Sequence, residues 1–199
     1  MTLLQESSAE TFREGSTPVL ETERLVLRAP RLEDVKAMVT LANDRRIAEN
    51  LTRLPHPYAA ADARTFINAA NLSEGEATFA VTLGGDRLIG VCGVELRTDG
   101  AEIGYWFGVN HWGHGYATEA ARAVIDHAFE TLGHAQLVSG ARVTNPASRR
   151  VLEKCGFQWT GIGLYRVRAI ASSVPVDRFR LDRGLWASLK GWGRMRRVA

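Results

Sequence analysis

Residues 102–132 read EIGYWFGVNHWGHGYATEAARAVIDHAFETL, and the change of pattern within this run decides the fold. The first part, Glu102 to Val109, is aromatic and β-branched and predicts a strand. The last part sets Ala120, Ala121, Val124, Ile125, Ala128 and Phe129 at helical spacing, which predicts a helix with one buried face. Gly133 follows where a helix end favours glycine. Between strand and helix lie Gly113 and Gly115, and Thr118 is the expected N-cap.

Such a loop can hold an anion. A helix start leaves backbone N–H groups without partners, and its dipole adds partial positive charge. Glycines ahead of it let the backbone approach a phosphate closely. An ordinary tight turn between strand and helix would read the same from the loop alone. A P-loop would need Gly-Lys-Ser/Thr at its end, which is missing here. A dinucleotide fingerprint would want a third glycine where Thr118 stands, usually in the first βα unit of a domain. This loop instead follows strands that read as antiparallel.

Upstream, Glu23 to Arg28 alternates and predicts a first strand, and Leu32 to Ala42 predicts a helix with Val35, Met38, Val39 and Ala42 inward. Asp44 to Leu51 predicts a short helix, which Pro55 and Pro57 end. Ala59 to Leu72 predicts another, with Ala63, Phe66, Ile67 and Ala70 inward. Ala77–Leu83 and Leu88–Leu96 read as strands joined at Gly84-Gly85-Asp86, and Thr98-Asp99-Gly100 turns into the strand at Glu102. Crossing by a helix to Gln136–Val143 requires a parallel partner there. Asn145, Pro146 and Ser148 start a further helix that ends at Gly156. Phe157–Thr160 and Val176–Leu181 read as closing strands, Ile162–Ser173 is left unassigned, and Leu185–Met195 predicts a tail helix. The fold class is thus α/β (α+β), a mixed, mostly antiparallel sheet of about seven strands. The expected organisation is a loose leader over 1–18, one domain over 19–183 and a basic tail over 184–199.

The chain of 199 residues carries 25 Lys and Arg against 22 Asp and Glu, a net charge of +3. That excess could steer an anionic ligand but is too small to argue for DNA. The basic end, Arg194, Arg196 and Arg197, reads as a solvated tail or a partner or ribosomal-RNA contact. Cys92 and Cys155 sit in apolar contexts without a CxxC pair, as expected of reduced, buried thiols in the cytoplasm. No secretory signal and no membrane-length apolar run is evident. His111 and His114 lie three apart, but no Cys or acidic cluster completes a metal set, so no metal is expected.

The segment Trp112-Gly113-His114-Gly115-Tyr116-Ala117 resembles the pyrophosphate loop of the GNAT superfamily of N-acetyltransferases, whose pattern is Gln/Arg-x-x-Gly-x-Gly/Ala. Trp112 departs from its first position. The aromatic run at Tyr105–Phe107, the opening Thr22-Glu23-Arg24-Leu25 and the run Val151–Phe157 are similar to the branch that acetylates ribosomal-protein N-termini, the RimJ/RimL-like branch. The resemblance covers roughly residues 22–182. It implies an enzyme, an acyltransferase that moves acetyl from acetyl-CoA directly to a primary amine, either a protein N-terminus or a small molecule. It also implies helices on both faces of a sheet splayed at its central strands. By it, the backbone from Gly113 through His114, Gly115, Tyr116 and Ala117 to Thr118 binds the pyrophosphate, beside Trp112. Phe107, Gly108 and Val109 line the pantetheine arm, with a bulge near Gly108, and the Phe107 or Val109 N–H polarises the thioester. Asn145 and Ser148 form a second cofactor element, although Asn145 reads equally as a helix cap.

An amine nucleophile must lose a proton, so a carboxylate is sought. Glu102 is the first choice of base, Glu95 the second, and Glu119 reads better as a partner of the helix dipole. The family's usual acid, a Tyr seven residues after Asn145, is here Leu152. Ser148 or a Tyr such as Tyr165 could replace it, or the thiolate could leave unaided. The alternative function is a non-catalytic acyl-CoA-binding or sensor module, suggested by Leu152 and Trp112. A homodimer is compatible with the resemblance, and no membrane partner is expected.

Overall fold

The computed structural model describes residues 17–70, 72 and 75–195; most of the expected leader, and Arg196 and Arg197, lie outside them. One sheet of eight strands runs in the order β1 (Leu20–Glu21), β2 (Leu25–Arg28), β3 (Ala77–Leu83), β4 (Arg87–Arg97), β5 (Gly100–Phe107), β6 (Gln136–Arg142), β8 (Ser172–Asp182), β7 (Gln158–Val167). Among the described residues, only β5 and β6 pair in parallel. The eighth strand arises because Thr22 turns the chain back on itself. Its N–H donates to the Leu25 carbonyl and its hydroxyl accepts the Leu25 N–H, both at 3.0 Å.

Helices α1 (Val35–Ala42), α2 (Arg45–Ala48) and α3 (Ala60–Ala69) precede β3. Helix α4 (Tyr116–Glu130) makes the crossover, α5 (Pro146–Lys154) follows β6, and α6 (Arg183–Met195) follows β8. The apolar stripe of α4 packs against one sheet face, with Ala120, Ala121, Val124, Ile125, Ala128 and Phe129 all at most 2 % exposed. Val35, Met38 and Ala42 of α1 and Ala63 and Ile67 of α3 cover the opposite face over Ala80, Leu88 and Val91. Helices therefore lie on both faces.

Beneath α1, Arg28 grips Asp34 with two nitrogens, at 2.7 and 2.8 Å, and the Arg31 N–H donates to Asp34 Oδ2 at 2.9 Å. Burial pushes the Asp34 carboxyl up, but Arg28 and the Arg31 N–H outweigh it and hold the group below its ordinary value. Its stabilisation is therefore present above the unfolded carboxyl pKa and is lost as pH falls through the lower, folded one. Asp34→Asn leaves the Arg28 charge uncompensated and is expected to cost about 3–5 kcal/mol in urea unfolding at pH 7.

Three expectations change. The segment Ile162–Ser173 is not a separate insert but the outer half of a long β7–β8 hairpin, paired from Gln158↔Arg180 to Val167↔Ser172. The edge strand leaves Ile162 and Leu164 exposed, so no alternation marked it in the sequence. Helix α4 begins before Thr118: Gly115 is its N-cap, and the Glu119 N–H donates to the Gly115 carbonyl at 3.1 Å. The bulge lies on β4, where the pairs Thr82↔Leu88 and Val81↔Gly90 leave Ile89 extra, while the β4–β5 register is unbroken to Phe107. At Gly108 a Cβ would lie 2.6 Å from Leu41 Cδ2, so a side chain there would displace Leu41.

Candidate active site

The parallel ladder between β5 and β6 holds for only Ala101↔Leu137 and Glu102↔Val138, although β5 continues to Phe107 and β6 to Arg142. The strands then diverge, and Ser139 Oγ reaches across to the Ile103 carbonyl at 2.9 Å. A groove of about 1290 Å³ opens at this gap. It is larger than the roughly 300–1,000 Å³ of a pocket for one drug-sized ligand.

On the α4 side the wall is the glycine loop. Gly113 and Gly115 have φ of +79° and +84°, which side chains other than glycine rarely adopt. Among the described residues, no acceptor takes the main-chain N–H groups of Gly113, His114, Gly115, Tyr116, Ala117 or Thr118. The space over Gly113 is open for at least 4 Å around an added Cβ. These amides, at the start of a helix of 15 residues, form an anion cradle. The loop is braced from behind: Arg24 donates to the His114 carbonyl at 3.0 Å and pairs with Glu119 at 2.6 Å. Glu119 also accepts from Thr22 Oγ1 and the Arg24 N–H. Burial raises its carboxyl, but Thr22 and Arg24 hold it below its ordinary value. It braces the loop from the first turn of α4, and it is a poor proton acceptor.

The open edge of β5 continues the wall. The Gly108 N–H points to the Ile89 carbonyl on β4, at 2.9 Å. By alternation, the main-chain groups of Tyr105 and Phe107 face the gap. Trp112 Nε1 donates to the Phe107 carbonyl at 2.7 Å and ties the loop to the strand end. Asn145 Oδ1 accepts the Ser148 N–H at 3.1 Å, so it caps α5 as one of its two readings required. Asn145 and Ser148 both line the groove, as do Phe107, Trp112, Gly113, Gly115, Tyr116, Ala117 and Thr118. Gly108, Val109 and His114 do not: Val109 begins a short 3-10 turn, and the His114 ring stacks on Tyr116.

Tyr105, which the sequence reads as a core aromatic or one that lines the substrate slot, is the Tyr that meets Ser148. Its hydroxyl lies 3.0 Å from Ser148 Oγ and donates to the Ser148 carbonyl at 3.2 Å. Burial pushes the phenol well above its ordinary value, against the pull of Ser148, so it stays protonated. Tyr165, the expected substitute, packs with Val167, Val174 and Val176 in the hairpin and does not line the groove. Leu152 is 1 % exposed in the main core. The signal for Tyr105 was its phase on β5, shared with Ile103 and Phe107 toward the α4 side.

Glu102 sits on the other face of β5. Its cross-strand neighbour is Glu95, and both line the groove. Glu95 is clamped by Arg53 and Arg97 together. Among the described residues Glu102 pairs with Arg97 alone, at 3.4 Å, and its side chain is 41 % exposed. Burial is the largest influence on it and, with Glu95, outweighs Arg97 and Arg53, so its carboxyl is raised. Of the two acids, Glu95 is held by two guanidinium groups and Glu102 by one. Elsewhere, Cys92 is buried, Cys155 only half-buried, and both are free thiols.

The groove thus joins an anion cradle and an unpaired strand edge on one sheet face to a raised carboxylate on the other. Comparison with known proteins gives these features a family. The acetyltransferase (GNAT) domain profile matches residues 24–158. The chain is 34 % identical over 169 residues to an uncharacterized N-acetyltransferase, p20, of Bacillus licheniformis, covering 81 % of this chain and 94 % of the relative. It is 37 % identical over 75 residues to the ribosomal-protein-serine acetyltransferase of Escherichia coli, 36 % of this chain and 42 % of that one. In fold it is similar to Mycobacterium smegmatis RimJ, solved in complex with CoA-disulfide, with a TM-score of 0.74 at 20 % identity over 84 % of this chain and 88 % of the other. The chain therefore belongs to the GNAT acetyltransferase family, whose members use acetyl-CoA to acetylate amine nitrogens.

Proposed function

We propose that this enzyme holds acetyl-CoA along the α4–α5 side of the gap and admits a primary amine, of a protein N-terminus or a small molecule, from the α1–α3 side. The observation that carries this reading is the gap itself, with free loop amides on one side and Glu102 on the other. Residues fit the cofactor: the Gly113–Thr118 amides suit a diphosphate, and the Tyr105 and Phe107 main-chain groups suit an amide-containing arm. Arg150 and Lys154, on the groove face of α5, add positive charge near the loop. Acetyl-CoA supplies an acetyl thioester, whose acyl carbon takes the amine nitrogen while the sulfur leaves as a thiolate.

Protein groups do the rest. Glu102, directly or through water, removes the amine proton, since an alkyl ammonium has a pKa of roughly 8–10. The Phe107 N–H faces the gap and can polarise the thioester carbonyl, and Val109, off the wall, is the weaker choice. Tyr105 and Ser148 donate hydrogen bonds to the departing sulfur. A thiolate belongs to a thiol of pKa about 8.5, more acidic than the raised phenol, so the Tyr105 hydrogen bond stabilises it without giving up its proton. Tyr105→Phe is expected to lower kcat roughly 10–100-fold, the worth of a hydrogen bond to a charged group of about 1.5–3 kcal/mol, with coenzyme A affinity unchanged. An unchanged kcat in the steady-state assay removes Tyr105 from the mechanism.

The non-catalytic reading rested on Leu152 and Trp112. Tyr105 beside Ser148 now offers a hydroxyl pair, and Trp112 a brace for the strand end, so catalysis is favoured. Residues 19–183 form the proposed catalytic unit, with α6 docked on α4 through Trp186 and Lys190 on Asp126. Two free thiols support a reducing compartment, the cytoplasm. Purified protein with acetyl-CoA and a panel of amines tests the function: acceptor-dependent thiol release with an acetyl mass gain supports it. No release across peptides, polyamines and aminoglycosides contradicts it.

A further inference from the structure

The acceptor side of the groove has an excess of positive charge. On β6, Leu137 and Ala141 are buried in the core beneath α4, so Val138, Gly140 and Arg142 face the same side as Glu102. Arg142 reaches the segment after α2, where its NH1 donates to the Glu49 carbonyl at 2.7 Å. Arg168, at the tip of the β7–β8 hairpin, meets that segment three residues on, its main-chain N–H donating to the Thr52 carbonyl at 3.0 Å. Both residues line the groove.

Most neighbouring charges are paired. Arg46 pairs with Asp44, Arg53 and Arg97 share Glu95, and Glu49 pairs with Arg45. Asp62 accepts the Ala59 N–H at the start of α3. Among the described residues, no carboxylate pairs with Arg142 or Arg168. Two guanidinium groups left open in a concave wall raise the local concentration of anions and repel cations. Their planar forks match a carboxylate.

Resting on the acetyl-transfer reading of this groove, we infer that the acceptor is a primary amine bearing a carboxylate near the nitrogen, which Arg142 and Arg168 hold while Glu102 draws the amine. A free amino-acid-like molecule and a protein N-terminus followed by acidic residues share this chemistry.

Competing acceptors test it on the full chain with acetyl-CoA. Amidated peptides that begin with alanine and continue with two glutamates, two glutamines or two lysines are compared by thiol release, beside free glutamate and its diamide. The acidic peptide, free glutamate or both should exceed their neutral counterparts roughly tenfold or more in kcat/KM, and the lysine peptide should be poorest. Which acidic form wins separates the two sources. Arg142→Gln and Arg168→Gln should each reduce the acidic preference, and calorimetric coenzyme A affinity reports that each variant is folded. Arg168→Gln keeps its main-chain tie to Thr52, so it serves where Arg142→Gln disturbs the loop. Equal or better use of the lysine peptide, or a preference that survives both substitutions, overturns this inference alone. Thiol release with none of the acceptors, while coenzyme A still binds, overturns it together with the acetyl-transfer reading.

Discussion

Glu102→Gln is expected to lower kcat about 10²–10⁴-fold near neutral pH while leaving coenzyme A affinity as it is. The glutamine keeps the shape of the side chain and removes its basicity. Glu95 cannot replace it, because Arg53 and Arg97 already neutralise that carboxylate. The wild-type rate should fall as pH drops through the Glu102 pKa, at a pH above that of an ordinary carboxyl, since burial raises the group. This same shift predicts the stability of the variant. With its pKa raised, the native chain keeps the Glu102 proton through a pH range where the unfolded chain has lost it. That contribution favours the native state at low pH and is lost as pH rises through the folded pKa. At neutral pH the ionised side chain therefore adds nothing to stability, and Glu102→Gln should match or exceed the wild-type Tm. Activity that survives unchanged at all pH values would remove Glu102 from the role of base.

Replacing Gly113 and Gly115 together by alanine should weaken coenzyme A binding strongly. The cause is conformational, because nothing lies within 4 Å of a Cβ at Gly113 and only Arg24 lies near one at Gly115, at 3.4 Å. Both residues hold positive φ, which costs a non-glycine residue roughly 1–2 kcal/mol. The pair would thus cost about 2–4 kcal/mol, or roughly 30–700-fold in Kd, if the strained loop relaxes and must be re-formed on binding. Pantetheine, which lacks the diphosphate, should bind the variant as it binds the wild type. Equal losses for both ligands would place the effect away from the loop.

Much of this fold was legible. Every residue assigned to the buried face of α4 is buried, because helical spacing alone decides which side chains share a stripe. The meander of β3, β4 and β5 and the parallel crossover to β6 followed from turn residues and chain length. What escaped notice depended on contacts far apart in sequence. Tyr105 meets Ser148 across 43 residues, and Arg53 meets Glu95 across 42. The first pair sets a Tyr hydroxyl beside Ser148, and the second gives Glu95 a guanidinium partner that Glu102 does not have. Neither pattern nor propensity carries such information. The start of α4 was misplaced because Thr118 is a good cap by type, whereas Gly115 is the cap by dihedral angle.

The central claim is that main-chain amides ahead of Glu119 grip the diphosphate of coenzyme A, and backbone NMR of the labelled chain tests it most directly. On titration with coenzyme A, the amide resonances of Gly113 to Thr118 should move downfield as a group, and titration with pantetheine should leave them in place. Coenzyme A binding that shifts other resonances while these amides stay still would contradict the claim.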